Sequence, residues 1–169
     1  MANKYLLAID PGNVESAYTL IDMETYKPVQ FEKLPNAQMR TYLKAQLSLC
    51  HRTDVVIEQV QHYGTGLAAG ESTFDTCFEA GRFAQITEDV TGKEAARVRR
   101  PTVKTAICGT PRAKDSNVIQ ALKDRFGEKG TKKNPGWFYG FKADCWQAYA
   151  LGVAWLDEQK SGSTKRMEE

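Results

Sequence analysis

The feature that most constrains this chain is the octet Tyr5-Leu6-Leu7-Ala8-Ile9-Asp10-Pro11-Gly12. A short apolar run containing a β-branched residue reads as a buried strand, and Pro-Gly forces a turn directly after it. The strand ends on a carboxylate. Desolvating an unpaired carboxylate costs several kcal/mol or shifts its pKa, so an acid at the tip of a buried strand wants a cation. A metal ion is one answer; a plain Asp-Pro-Gly turn is the other, and the octet alone does not separate them.

The rest of the chain supplies two further acids in similar settings. Asp54-Val55-Val56-Ile57-Glu58-Gln59-Val60 is a second buried strand with a carboxylate near its end. Between the two strands lie Ser16 to Asp22 and Lys27 to Lys33, with strand composition, and a helix from Asn36 to about Cys50. Asn36 is the expected N-cap of that helix, and Met39, Leu43 and Leu47 recur on one face. This order predicts an antiparallel meander followed by a parallel neighbour of the first strand, with Asp10 and Glu58 at one sheet edge. The third acid is Asp144. Ala148, Leu151 and Trp155 follow it at helical spacing, which puts Asp144 on the buried stripe of a last helix ending near Gln159.

Between these landmarks, a Gly-rich loop over 62–70 precedes a helix expected from Phe74 to Val90, opened by a capping box at Ser72-Thr73-Phe74-Asp75. A short strand is expected from Ala95 to Arg100. Thr110-Pro111 reads as the start of a helix whose buried stripe is Val118, Ile119, Leu122 and Phe126. One domain over residues 1–160 and a disordered polar tail over 161–169 follow.

Composition narrows the function classes. Lys4 is followed by only five apolar or aromatic residues before Asp10, too few for a secretory signal, and no run approaches a membrane span. Cys50, Cys77, Cys108 and Cys145 form no CxxC pair, and with two histidines in the chain they are expected to be reduced, mostly buried thiols of a cytoplasmic protein. No phosphate-binding GxxxxGK[ST] loop is present. The formal net charge is only +2, yet the stretch from Lys93 to Lys114 holds seven basic residues against one acid, Glu94. Such a run is either a solvated face or a surface for a phosphate backbone. Three carboxylates gathered in one place need a positive partner, and oxygen-only sites select hard ions such as Mg²⁺ or Mn²⁺.

Taken together, Leu-Leu-Ala-Ile-Asp10-Pro-Gly, Val-Val-Ile-Glu58-Gln-Val and Ala-Asp144-Cys-Trp-Gln-Ala-Tyr-Ala-Leu-Gly resemble the RuvC Holliday-junction resolvases of the ribonuclease H-like superfamily. The resemblance runs from about Leu6 to Trp155. It implies an α/β fold with a mixed five-stranded sheet flanked by helices. It further implies a homodimeric endonuclease of branched DNA, placed in a bacterial cell or a phage-infected host, that nicks four-way junctions symmetrically with two Mg²⁺ or Mn²⁺ ions. Asp10, Glu58 and Asp144 would be the metal ligands, Lys104 and Lys114 the catalytic lysines, and Tyr63 the aromatic wedge in the loop after the second acid. Arg99, Arg100 and Arg112 would join these lysines on DNA, and no membrane or small-molecule substrate is implied. The apolar stripe Phe74, Phe78 and Gly81 would be dimer surface or ordinary core. One position departs from the family, which places an Asp or His three residues before the last acid; Phe141 stands there. Other outcomes consistent with these residues are a flap, fork or RNA nuclease of the same fold, and a junction-binding protein that does not cut.

Overall fold

The computed structural model describes residues 4–62 and 70–167, with side chains described through residue 162. Five strands, β1 (Tyr5–Asp10), β2 (Glu15–Asp22), β3 (Pro28–Pro35), β4 (Thr53–Gln59) and β5 (Ala96–Arg99), form one sheet in the order β3-β2-β1-β4-β5. The β1–β2 and β2–β3 pairs are antiparallel, and the β1–β4 and β4–β5 pairs are parallel. Around the sheet lie α1 (Asn36–Leu49), α2 (Glu71–Thr91), α3 (Arg100–Cys108), α4 (Asp115–Phe126) and α5 (Cys145–Met167). The meander-plus-parallel sheet expected from the sequence is the sheet observed.

β1 is central and buried on both faces, which is why it reads as an unbroken apolar run. Leu7 and Ile9 join Met39, Leu43 and Leu47 of α1 and Phe83 and Ile86 of α2 in one core. Leu6 and Ala8 join Val56 and the residues of α3, α4 and α5 in the other. α5 comes closest where Gly152 sits: a β-carbon there would lie 3.2 Å from the Ala8 side chain and nearer still to that of Ile21. The second core is rich in aromatics. Phe141 is fully buried and packs on Phe31, Phe138, Trp146 and Tyr149, with ring centroids 4.3–5.6 Å apart. Tyr149 is anchored in turn, donating to the Tyr26 carbonyl at 2.8 Å and accepting from Trp137 Nε1 at 3.2 Å. This cluster fixes the segment that delivers Asp144 to the sheet edge.

Several local expectations differ from what forms. Asn36 is the first residue of α1 rather than its cap; Pro35 precedes the helix, and the Asn36 side chain is spent on the Asp10 loop. α2 opens at Glu71 after Gly70, with no side-chain cap from the Ser72 motif. Of the stripe assigned to α2, Phe74 and Phe78 are exposed, because Phe83, Ile86 and Thr87 are the residues that face the sheet. Arg100-Pro101, not Thr110-Pro111, carries the helix-opening proline. It starts α3, which Gly109 ends in a left-handed conformation, so α4 begins only at Asp115. Cys145 is the one buried thiol among four free cysteines; Cys77 is exposed. α5 continues past Gln159 to Met167, a stretch without proline that lets the helix propagate. Among the described residues no helix is long and apolar enough to cross a membrane.

Position 141 is therefore structural. Replacing Phe141 by Asp, one of the two residue types of the family it resembles, is expected to destabilise the protein by at least about 4 kcal/mol through lost packing and a buried acid. Urea unfolding of the variant beside the parent measures it.

Candidate active site

Register brings the first two acids together. Ile9 pairs with Ile57 across the parallel β1–β4 ladder, so the next residues, Asp10 and Glu58, leave the sheet side by side. Both lie on the sheet face that also carries Ala8 and Val56, the face covered by α5. Their side chains are only 11% and 15% exposed. The loop after Asp10 is held from below: Gly12 N–H donates to Ser16 Oγ at 3.0 Å, Ser16 Oγ–H donates to Asn36 Oδ1 at 2.7 Å, and Asn36 Nδ2 donates back to the Gly12 carbonyl at 2.9 Å. Gly12 is required in this loop, since a β-carbon would fall 2.1 Å from the Glu15 carbonyl oxygen.

Asp144 arrives from the other side of the sheet edge. It is not on the buried stripe of α5 but just ahead of the helix, where its carbonyl accepts from Ala148 N–H at 3.0 Å. The preceding Ala143 has φ 46°, a left-handed turn that lifts Asp144 out of the core and leaves its side chain 45% exposed. Lys33 Nζ holds Asp144 Oδ2 at 2.6 Å, and that hydrogen bond raises the lysine pKa. Lys33 belongs to the site by register: Asp10, Ala17 and Lys33 form one row across β1, β2 and β3.

Arg100 completes the cluster. β5 lies parallel to β4 with Val98 opposite Glu58, so the first residue of α3 reaches back over the acids. Its Nε donates to both Glu58 oxygens at 3.1 and 3.2 Å, Nη2 lies 3.6 Å from Asp10 Oδ1, and Nη1 lies 3.8 Å from Asp115 Oδ2. Lys104 Nζ takes the other Asp115 oxygen at 3.2 Å. Burial opposes the Arg100 charge, but Glu58 and Asp10 outweigh it and raise the guanidinium pKa further. Even so, one guanidinium does not neutralise the site. Burial, then Glu58 and Asp144, push Asp10 from the ordinary 3.8 to about 8, and burial keeps Glu58 raised despite Arg100.

No protein-family model matches the chain, and no curated protein sequence does. Solved structures do. The structure of Thermus thermophilus RuvC superposes with a TM-score of 0.69 at 14% identity, covering 94% of this chain and 96% of that one. T. thermophilus RuvC in complex with a Holliday junction substrate gives 0.66 at 14% identity, covering 89% and 92%. The chain has the RuvC fold.

On this fold the residues singled out in the sequence divide into three groups. Asp10 and Glu58 leave adjacent strands at one sheet edge, and Asp144 lies near enough for its charge to raise the Asp10 pKa. Arg99, Arg112 and Lys114 are exposed, Lys104 is mostly covered and paired with Asp115, and Arg100 faces the acids instead of solvent. Tyr63 lies outside the described residues. Lys33, Asn36 and Ser16 were missed as site residues, and Asp115 had no role; strand register places Ser16 and Lys33, and helix docking places Asn36 and Asp115, neither of which composition carries.

The donor set fits a hard divalent ion in its chemistry: all oxygen, with Asp10 and Glu58 poorly hydrated, and burial together with the neighbouring acid charge raises the Asp10 pKa. Among the described residues, however, no three acidic, histidine or cysteine side chains converge closely enough to hold an ion as they stand. Arg100 and Lys33 occupy carboxylate oxygens that such an ion would take.

The pKa of Asp10 carries a stability consequence. Its value in the fold, about 8, lies above its unfolded value, so between about pH 4 and 8 the folded state binds the extra proton. Stability of the chelator-treated protein should therefore fall as pH rises through that window and level off above it. Asp10→Asn, which cannot ionise, should flatten the dependence and be more stable than the parent at pH 8. Urea titrations in EDTA from pH 4 to 9 give both curves.

Proposed function

We propose that the chain is a divalent-metal-dependent endonuclease that cuts four-way DNA junctions by paired, symmetric nicks. The observation that carries this reading is the pairing of Asp10 and Glu58 at adjacent strand tips with Asp144 ahead of α5, on the fold of a protein solved with a Holliday junction substrate. Nothing in a structural role requires a buried acid pair there; a binder of phosphate backbones would be weakened by it.

Asp10, Glu58 and Asp144 would hold two Mg²⁺ or Mn²⁺ ions, which supply an activated water and neutralise charge on the leaving 3′ oxygen. The remaining chemistry belongs to the chain. Asn36, Ser16 and Gly12 keep the Asp10 loop rigid, so the carboxylate does not have to be ordered during reaction. Lys33 sets the orientation of Asp144. Lys104, at the rim through Asp115, and exposed Lys114 would bind the phosphates either side of the cut, and Arg99 and Arg112 would extend that contact along an arm. The exposed pair Phe74 and Phe78 on α2 supports a homodimer, whose two-fold symmetry matches that of a four-way junction.

The test is cleavage of a labelled four-way junction, with flap, linear duplex and RNA–DNA hybrid controls, in Mg²⁺ or Mn²⁺. Paired nicks are expected on the junction, falling at least about 100-fold in Asp10→Asn while junction binding persists. Equal cutting of flaps or hybrids would replace the junction by a wider branched substrate. Tight binding without cuts in either metal would make the chain a junction-binding protein and overturn the enzymatic reading.

A further inference from the structure

Arg100 is oddly placed for a basic residue destined for DNA. It opens α3, where the helix dipole disfavours a cation, and its side chain is only 28% exposed. What holds it there is the acid cluster: Nε on both Glu58 oxygens, Nη2 toward Asp10, Nη1 toward Asp115. The guanidinium is always charged, and its fork engages the same oxygens that a divalent ion bound to Asp10 and Glu58 would need. An ion coordinated by the Glu58 oxygens would take the lone pairs on which Arg100 Nε now rests, so guanidinium and metal compete for the same atoms.

We propose that Arg100 is a resident counter-ion that competes with divalent metal for Asp10 and Glu58 and withdraws onto Asp115 as the ion loads. The proposal rests on the reading of Asp10 and Glu58 as metal ligands. Asp115 is built as the receiving position. It stands at the start of α4 with its side chain 53% exposed, and Lys104 occupies only Oδ1, at 3.2 Å. Its Oδ2 faces Arg100 Nη1 at 3.8 Å, beyond hydrogen-bond length but close enough to be reached by side-chain rotation. Without metal, Arg100 keeps two buried carboxylates from facing each other uncompensated. With metal, it moves outward, toward Lys104 and the side from which a phosphate would approach.

The deciding experiment is Mn²⁺ titration calorimetry at fixed ionic strength on the full chain, which reads metal affinity independently of cleavage. Arg100→Gln should bind Mn²⁺ about tenfold more tightly than the parent, because a charge-assisted competitor is gone. Asp115→Asn, which takes charge from the withdrawn position, should bind about threefold more weakly. Arg100→Lys keeps the charge but loses the fork, should bind a few-fold more tightly, and carries the test if Arg100→Gln does not melt cooperatively. Affinity in the Arg100 variants equal to or below the parent's, with Asp10→Asn abolishing binding, would overturn the competition while leaving the metal site standing. Absence of Asp10-dependent Mn²⁺ binding in both parent and Arg100 variants would overturn the metal reading itself, and the competition with it.

Discussion

The parallel pairing of β1 with β4 is the constraint on which the rest depends. A parallel pair needs a crossover, and α1 supplies it, running from the end of β3 back to the start of β4. Register then does the chemical work. With Ile9 opposite Ile57, the acids that follow are neighbours at one edge; a slip of one residue would turn Glu58 to the opposite face, into the α1–α2 core. The apolar runs that make β1 and β4 bury on both faces lock that register, so stability and site geometry have the same origin. The same pairing logic extends outward, since β5 beside β4 delivers Arg100 and β3 beside β2 delivers Lys33.

A site of this kind is unstable by construction. Burying Asp10 and Glu58 together raises both pKa values, and the surrounding cations recover only part of that cost. The structure offsets it with packing elsewhere: the aromatic cluster around Phe141 and Tyr149, and the close fit of Gly152 against the sheet. The network of Asn36, Ser16 and Gly12 ties down the loop that follows Asp10. The division is clear in the two cores. One is mostly aliphatic around Tyr18 and Phe83 and carries α1 and α2; the other is richer in aromatics and packs around the segment that positions Asp144.

Much of this was legible in the chain. The five strands, their mixed topology and the emergence of Asp10 and Glu58 at one edge follow from apolar periodicity and from acids at the ends of buried strands, whereas Asp144 sits ahead of the last helix and not on its buried stripe. Helix ends were read less well, because Ser72, Asn36 and Thr110 are good capping residues that the tertiary structure does not use as caps. Asn36 shows why: its amide is worth more across the Asp10 loop than at a helix terminus. The same blindness applies to charge. A run of basic residues reads as one patch in sequence, but the fold divides it. Arg99, Arg112 and Lys114 face solvent, whereas Arg100 turns inward to the acids.

That division bears on the departure at Phe141. In the family the chain resembles, an acid or histidine at that position would add to the ligand set; here the position is given to the aromatic core. Removing a ligand lowers the demand for metal charge, and the sheet already places two basic side chains against the remaining acids, Arg100 on Glu58 and Lys33 on Asp144. A smaller acid cluster with built-in cations can remain folded without metal, at the cost of competing with any ion that binds. On the proposed reading, the balance between acid count and resident cations, more than any one ligand, would set how readily such an edge takes up metal. A chain can change that balance at β3 or α3 without altering the strands that make the edge.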